Sequence, residues 1–296
     1  MRQEPTNYDP TAYVTVLSTD NYLDGVLVLN ESLRMCRAKY RLYALVGSEV
    51  SNNVRDTLAR VRIEQIDAPP INVPVEIKQA NVASDHHRHW AGVFEKLGVF
   101  SLCQFEKIVY IDSDVLVIKN LDELFDRPPR SAVIADRYPG NEDCTDLNAG
   151  LMVIEPEPTL TNQLAAFLPE AFEHEKRWRA AVGRPPSMGV QSVINLFWKD
   201  WITTPELHLD GRYNVLVEHL DDYMRQEDHK WRGPEGIHVL HFIGQVKPWM
   251  LTPANLSRRV AQLAIRRRIW ELTGLMAYRA VLLRVRFQLR SSELRS

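Results

Sequence analysis

The sequence predicts an α/β protein built on a mixed, mostly parallel sheet flanked by helices, and three observations predict it. Short β-branched and aromatic runs alternate with helical patterns from the N-terminal region onward, as in an open sheet with crossover helices. The stretch Lys107–Ile118, KIVYIDSDVLVI, is apolar enough for the interior of such a sheet. At 296 residues and 45% hydrophobic content, the chain has the material for one large domain or two small ones.

The elements follow in order. Tyr13–Leu17 reads as a strand, Ser18 to Asn21 as a polar loop, and Val26, Leu29 and Leu33 recur at helical spacing in a helix from about Tyr22. A second unit repeats this, with a strand at Tyr40–Val46, caps within Ser48–Ser51, a helix at Val54–Val61 and a strand at Arg62–Ile66. Pro69–Pro74 is a connection and Asn81–Trp90 is polar, after which Val93–Gln104 reads as a helix leading into the central strand. Leu121–Phe125 reads as a short helix, Ala132–Ala135 as a strand and Asp136–Asp146 as a long loop. Asn148, Ala149 and Gly150 precede a strand at Leu151–Ile154; helices at Thr161–Phe172 and Val190–Trp198 and a last strand at His238–Gly244 complete the pattern.

Asp112 and Asp114 interrupt the central apolar run. Two carboxylates beside a core strand carry a desolvation and repulsion cost, so they belong at the strand's carboxyl end with water, a cation or a basic partner. In extended geometry positions i and i+2 point the same way, so both can converge on one ligand while Ser113 faces elsewhere. An isolated Asp-x-Asp is commonly a solvated turn; oxygen ligands at the end of an apolar strand instead suit Mg²⁺ or Mn²⁺ with substrate phosphates completing the shell. Ligands of open α/β sheets sit beyond the carboxyl strand ends, which predicts that the loop after Leu17 and the Asp112–Asp114 turn face one cleft.

Composition excludes several classes. A formal charge of −2 gives no footprint for nucleic acid. Cys36, Cys103 and Cys144 form no CxxC pair, which argues against a disulfide framework or zinc site and fits a reducing, cytoplasmic compartment. The polar start MRQEPTNYDPTAY has no apolar signal segment, and no run reaches membrane-spanning length. His86, His87 and His89 lack zinc-motif spacing and read as a solvated loop or substrate-facing rim. Lys96 reads from pattern alone as a snorkelling surface lysine or a site residue.

The double aspartate, the Asn148-Ala149-Gly150 strand entry, Gln191 with Asn195, and HFIGQVKPW at 241–249 occur in an order that resembles the glycogenin-like family 8 glycosyltransferases. The similarity covers roughly residues 12–250 and includes Glu95-Lys96-Leu97. It implies a GT-A fold and a retaining transfer of a hexose from a UDP-sugar, with Mn²⁺ or else Mg²⁺ as cofactor. By resemblance, Asp112, Asp114 and His241 match the metal ligands, although a histidine on a terminal apolar strand is by itself more often a satisfied core residue. Tyr22 matches the ring against uracil, with Val16 and Leu17 in the same base pocket. Lys96 and Lys247 match basic residues that approach the donor, Gly244 a close backbone approach to phosphate, and Ser113 stands within the metal-binding motif. Asn148, Ala149 and Gly150 match the sugar-facing strand entry, Asp136 the sugar-binding acid, and Gln191 a carbonyl facing the anomeric carbon; Gln191, Asp136 and Lys96 are the catalytic candidates.

Two departures stand out. Val190 precedes Gln191 where the family usually has Asp, and Ser187 replaces an acid, so either another acid, Asp146 or Glu142, substitutes or the activity is weak or differently specific. Counting from Tyr213-Asn214 puts Asp221 where the glycogenin branch carries its acceptor tyrosine, with Tyr223 two residues later, so a separate glycan or lipid-linked saccharide is the expected acceptor. Residues 1–252 are expected to form the catalytic domain and 253–296 a basic helical tail, with Ile265, Ile269, Leu272 and Met276 on one face. That tail reads either as a peripheral contact with an anionic membrane or as a helix packed on the catalytic domain. Two other functions compete: a catalytically silent nucleotide-sugar binder, and a haloacid dehalogenase-type phosphatase. The second is disfavoured by Leu116 and by the absence of a later Gly-Asp-x-x-x-Asp stretch.

Overall fold

β-Branched and aromatic residues at alternate positions bury both faces of the central strands. In β1 (Thr11–Leu17), Ala12, Val14 and Val16 pack with one apolar cluster while Tyr13 and Leu17 pack on the opposite side. The computed structural model describes residues 9–84, 92–135, 137–138, 141–226, 231–232 and 236–293. The histidines at 86, 87 and 89, and Asp136, lie outside the described residues.

After β1 come α1 (Leu23–Met35), β2 (Leu42–Val46), α2 (Asn52–Arg60), β3 (Glu64–Asp67), α3 (Val75–Ala83), β4 (Lys107–Ile111), β5 (Val115–Val117), β6 (Ala132–Ile134) and β7 (Leu147–Ile154). The second half contains α4 (Leu160–Ala181), α5 (Val190–Phe197), β8 (His208–Leu209), β9 (Val215–Leu216), α6 (Leu220–Met224), β10 (Val239–His241), α7 (Pro253–Ile265) and α8 (Ile269–Glu293). A seven-stranded sheet runs in the order β3-β2-β1-β4-β7-β6-β8, and a three-stranded sheet in the order β5-β10-β9. β3, β2, β1 and β4 are parallel, whereas β7 is antiparallel to both neighbours, which makes the sheet mixed.

Several elements differ from the sequence expectation. Val93–Ser101 winds as a 3₁₀ helix, Asp122–Asp126 does likewise, and α3 follows directly on the proline-rich connection. Asn148, Ala149 and Gly150 lie inside β7, within the stretch from Leu147 to Met152 that pairs with β6. α4 runs nine residues beyond Phe172 to Ala181, its polar second half having concealed the helix in the sequence.

This topology positions the double aspartate. Asp112–Asp114 is the link where the chain leaves the large sheet at β4 and enters the small one at β5. β10 lies antiparallel to β5 with His241 opposite Val115, and β7 places Leu151 opposite Ile111, so His241 and Gly150 arrive beside the turn from different sheets.

The C-terminal helix is part of the same core. Tyr278, Val281, Leu282 and Val285 of α8 are buried with Val26 and Leu27 of α1 and Trp249. Arg284 reaches Glu31 at 2.7 Å and Arg286 reaches Asp24 at 2.6 Å. The inner face of α8 therefore packs on the α/β body, and no helix among the described residues is long and apolar enough to cross a membrane.

The first turn of α8 is capped from afar. Asp221, buried, accepts the backbone N–H groups of Trp270 at 3.2 Å and Glu271 at 3.0 Å, with the Arg268 guanidinium 3.5 Å away. Asp221→Ala should lower the urea midpoint by an amount equivalent to about 2 kcal/mol, the range for losing a helix cap with charge-assisted bonds. An unchanged midpoint would show that the cap contributes nothing.

Candidate active site

Two cavities meet at the turn after β4. The inner one, about 340 Å³, is lined by Val16, Ser18, Thr19, Tyr22 and Gly92 on one side and by Lys96, Tyr110, Asp112, Ser113, Asp114, His241 and Lys247 on the other. The outer one, about 680 Å³, shares Val93, Lys96, Asp112, His241 and Ile243 with it and extends past Asn148, Ala149, Gly150, Gln191 and Asn195 to the end of α4. The loop after β1 and the aspartate turn thus face one cleft, as expected for the carboxyl ends of parallel strands.

Asp112, Asp114 and His241 offer one ligand atom each, and these atoms all lie within 4.8 Å of one another. Cationic groups hold the carboxylates. Asp114 receives Lys247 Nζ at 2.8 Å and His241 Nε2 at 3.1 Å, while Asp112 receives Lys96 Nζ at 2.7 Å and the Tyr110 hydroxyl. Burial alone would raise the Asp114 carboxyl; His241 and Lys247 outweigh it and hold the group far below the usual carboxylate range. His241 and Lys247 are themselves pushed down by burial and more than restored by Asp114.

The donor set fits a divalent cation. His241 Nδ1 donates to Asn214 Oδ1 at 2.7 Å, which orients the ring so that Nε2, on giving up its proton, would be free to ligate a cation beside the carboxylates. Gly150 leaves room for the cluster: a Cβ there would lie 2.7 Å from His241 Cε1 and 3.2 Å from Asp112 Oδ2. Gly25 of α1 plays a similar part behind the turn, where a Cβ would lie 2.6 Å from the Ser113 carbonyl oxygen.

Around the cluster the predicted residues divide. Val16 and Tyr22 line the inner cavity, with Tyr22 edge-on to Trp249 at 5.5 Å between centroids. Burial raises the Tyr22 hydroxyl, opposed by Lys247 and reinforced by Asp114 and Asp112. Lys96 also donates to the Ala149 carbonyl at 3.0 Å and lies over the Tyr110 ring. Asn148 Oδ1 accepts from Gly150 N–H at 2.7 Å, and Gln191 Oε1 accepts from Ala149 N–H at 3.1 Å, which aims the carboxamide at the strand entry.

Two predicted residues lie apart from both cavities. Leu17 follows Val16 on a strand and so faces the opposite side, fully buried in the core beneath α1. Gly244 donates its N–H to Glu218 Oε1 at 3.0 Å and lines a different cavity, beside α7. Of the candidate replacement acids, Asp146 lines the outer cavity, whereas Glu142 lines a separate one with Tyr223 and Trp231. Val190 and Ser187 are buried neutral residues. Tyr223 is buried too, with its hydroxyl donating to the Arg137 carbonyl.

Sequence reasoning missed Tyr110, Asn214, Gly25 and the α4 wall formed by His174, Glu175, Trp178 and Arg179. Period-2 alternation does place Tyr110 on the Asp112 side of β4, and that signal was readable. The α4 wall had none, since its residues form a polar stretch with no motif.

The arrangement defines a GT-A glycosyltransferase. The galactosyltransferase LgtC, in a crystal structure with donor and acceptor sugar analogs, shares the fold with a TM-score of 0.54 over 91% of this chain and 95% of its own, at 16% identity. The chain belongs to glycosyl transferase family 8, whose model matches residues 13–252. Human glycogenin-1 is 32% identical over 242 residues, covering 81% of this chain and 63% of that protein. The rabbit glycogenin-1 is 31% identical over 250 residues, covering 84% of this chain and 68% of its own length. This chain thus spans about two thirds of these relatives. Family membership removes the phosphatase reading.

Gly150→Ala tests the packing of the cluster: the added methyl should weaken Mn²⁺ binding, read by electron paramagnetic resonance, by about tenfold or more, as expected when a ligand is displaced from its orientation. Wild-type affinity would contradict the close approach. Glu95, beside Ser18 and Gly47, is a second target. Burial raises its carboxyl, the Ser18 hydroxyl opposes this, and Glu49 adds to it. A carboxyl raised on folding contributes stability below its unfolded pKa that is lost as pH rises through its folded one. Glu95→Gln should therefore raise Tm at pH 8, with the gain vanishing toward pH 4; a pH-independent difference would overturn the assignment.

Proposed function

We propose that the chain transfers a hexose, with retention at the anomeric carbon, from a UDP-sugar to the hydroxyl of a separate glycan or lipid-linked saccharide. The observation that carries this is the cluster of Asp112, Asp114 and His241, flanked by Lys96 and Lys247, at the junction of the two cavities. Cleaving the bond from anomeric carbon to phosphate moves negative charge onto the diphosphate. A divalent cation held by the three ligands supplies charge neutralisation there, and the mixed carboxylate and imidazole set favours Mn²⁺ over Mg²⁺.

The chain's own residues divide the remaining work. Tyr22, edge-on to Trp249, offers a ring face for the base. Lys247 and Lys96 lie against the carboxylates and stabilise charge on the leaving group. Asn148, Ala149 and Gly150 face the sugar, with Gln191 presenting its carboxamide toward the positive charge that develops at the anomeric carbon. Asp136 is the proposed acid on the sugar hydroxyls, carried over from the family pattern.

A separate acceptor is supported by Asp221, which caps α8, and by Tyr223, whose hydroxyl is buried and bonded. The reading assigns catalysis to residues 1–252, a supporting role to 253–296 and, from three free thiols, a cytoplasmic location. Membrane contact through the tail is not part of it. A second reading, a catalytically silent nucleotide-sugar binder, draws on the neutral Val190 and Ser187.

Release of UDP from a panel of UDP-sugars with Mn²⁺ separates the two: turnover with at least one donor is expected, while measurable binding with no release from any of them would favour the silent reading. Asp114→Ala should cut Mn²⁺-dependent UDP affinity by roughly a hundredfold, since several kcal/mol of charge stabilisation leave with the ligand. Equal calorimetric affinity with and without Mn²⁺ in the wild type would overturn the metal assignment.

A further inference from the structure

The mouth of the outer cavity is formed by the last turns of α4 and the loop after it. α4 ends where Gly183 takes a left-handed conformation, φ 69°, and the Arg184 N–H returns to the Arg179 carbonyl at 2.8 Å. This closure presents two unlike groups to the cavity. Trp178 is 49% exposed, and Arg184 is exposed with no partner among the described residues.

Among the described residues the neighbouring charges leave Arg184 uncompensated. Glu175 is taken by Arg179, with Nε to Oε1 at 2.9 Å, and Asp146 is not free. Val190 adds no negative charge to this wall. At the inner end of the same cavity Asp112 is held by Lys96. A guanidinium with five donors in a fixed fork matches a carboxylate or phosphate in bidentate geometry, and an exposed indole face matches the apolar side of a pyranose ring.

We propose that this mouth binds an anionic acceptor: a saccharide whose carboxylate or phosphate pairs with Arg184 while one of its sugar rings lies on Trp178. The inference rests on the glycosyltransferase reading above, which assigns the end of the cavity nearest Lys96, Asp112 and His241 to the donor. Trp178 and Arg184 line the same cavity and are exposed to solvent, where a separately diffusing substrate enters. The neutral Val190 then has a role: a carboxylate there would repel such an acceptor.

Calorimetry on the full chain, loaded with UDP and Mn²⁺, tests this with three probes: methyl β-glucuronide, methyl glucoside 6-phosphate and uncharged methyl β-glucoside. At least one anionic probe should bind about tenfold or more tighter than the neutral one, as for a charge-assisted bidentate contact, and the preference should shrink with salt. The two anionic arms distinguish a carboxylate from a phosphate ligand. Arg184→Ala should erase the preference, Arg184→Lys should retain part of it, and Trp178→Ala should weaken all three probes alike, with far-UV circular dichroism confirming the fold of each variant. Equal binding of neutral and anionic probes, binding of none at millimolar concentration, or a preference that survives Arg184→Ala would overturn the proposal. Release of UDP by the wild-type enzyme without acceptor reads the donor assignment separately, so each can fail alone.

Discussion

Two carboxylates at the end of a buried strand are the constraint around which this molecule is arranged. Asp112 and Asp114 carry charges that the interior of a sheet cannot hold unaided, and the surrounding chain supplies compensation from distant segments. Lys96 comes from the 3₁₀ helix before β4, His241 from β10 in the second sheet, and Lys247 from the loop beyond it. Strand pairings set His241 and Gly150 in place. The antiparallel contact of β10 with β5 sets His241 beside Asp114, and that of β7 with β4 sets Gly150 where only a residue without Cβ fits.

The support extends outward to the last helix. Tyr22 meets Trp249, whose indole N–H donates to the Asn21 carbonyl at 2.8 Å, and Trp249 lies near-parallel to Tyr278 of α8 at 6.0 Å. The aromatic chain links α8 to the wall of the inner cavity through packing rather than through any ligand contact. Asp221, capping α8, fixes the far end of that support. The basic residues of the C-terminal segment accordingly have internal work: Arg284 and Arg286 pair with acids of α1, and Arg279 donates to the Pro248 carbonyl at 3.0 Å.

Much of this was legible in the sequence, for identifiable reasons. Continuous apolar runs rich in β-branched and aromatic residues marked β1, β2 and β4, and apolar residues at helical spacing marked α1 and α5. Motif order singled out Asp112, Asp114, His241 and Lys247. What escaped were features without a compositional sign. α1, α2 and α7 end on Arg37, Arg62 and Arg267 in left-handed conformations, positions where glycine is the usual signal. The far half of α4 is polar, so the outer wall of the site stayed hidden. The family resemblance puts Leu17 in the base pocket with Val16, yet strand alternation turns its side chain to the other face of the sheet.

A crystal of the chain with Mn²⁺ and UDP, measured for anomalous scattering, tests the central claim most directly. The account predicts one strong Mn²⁺ peak at about 2.0–2.3 Å from Asp112, Asp114 and His241, with diphosphate oxygens completing the shell and the uracil ring at Tyr22. A peak elsewhere, or UDP bound with its diphosphate away from Lys96 and Lys247, would contradict it.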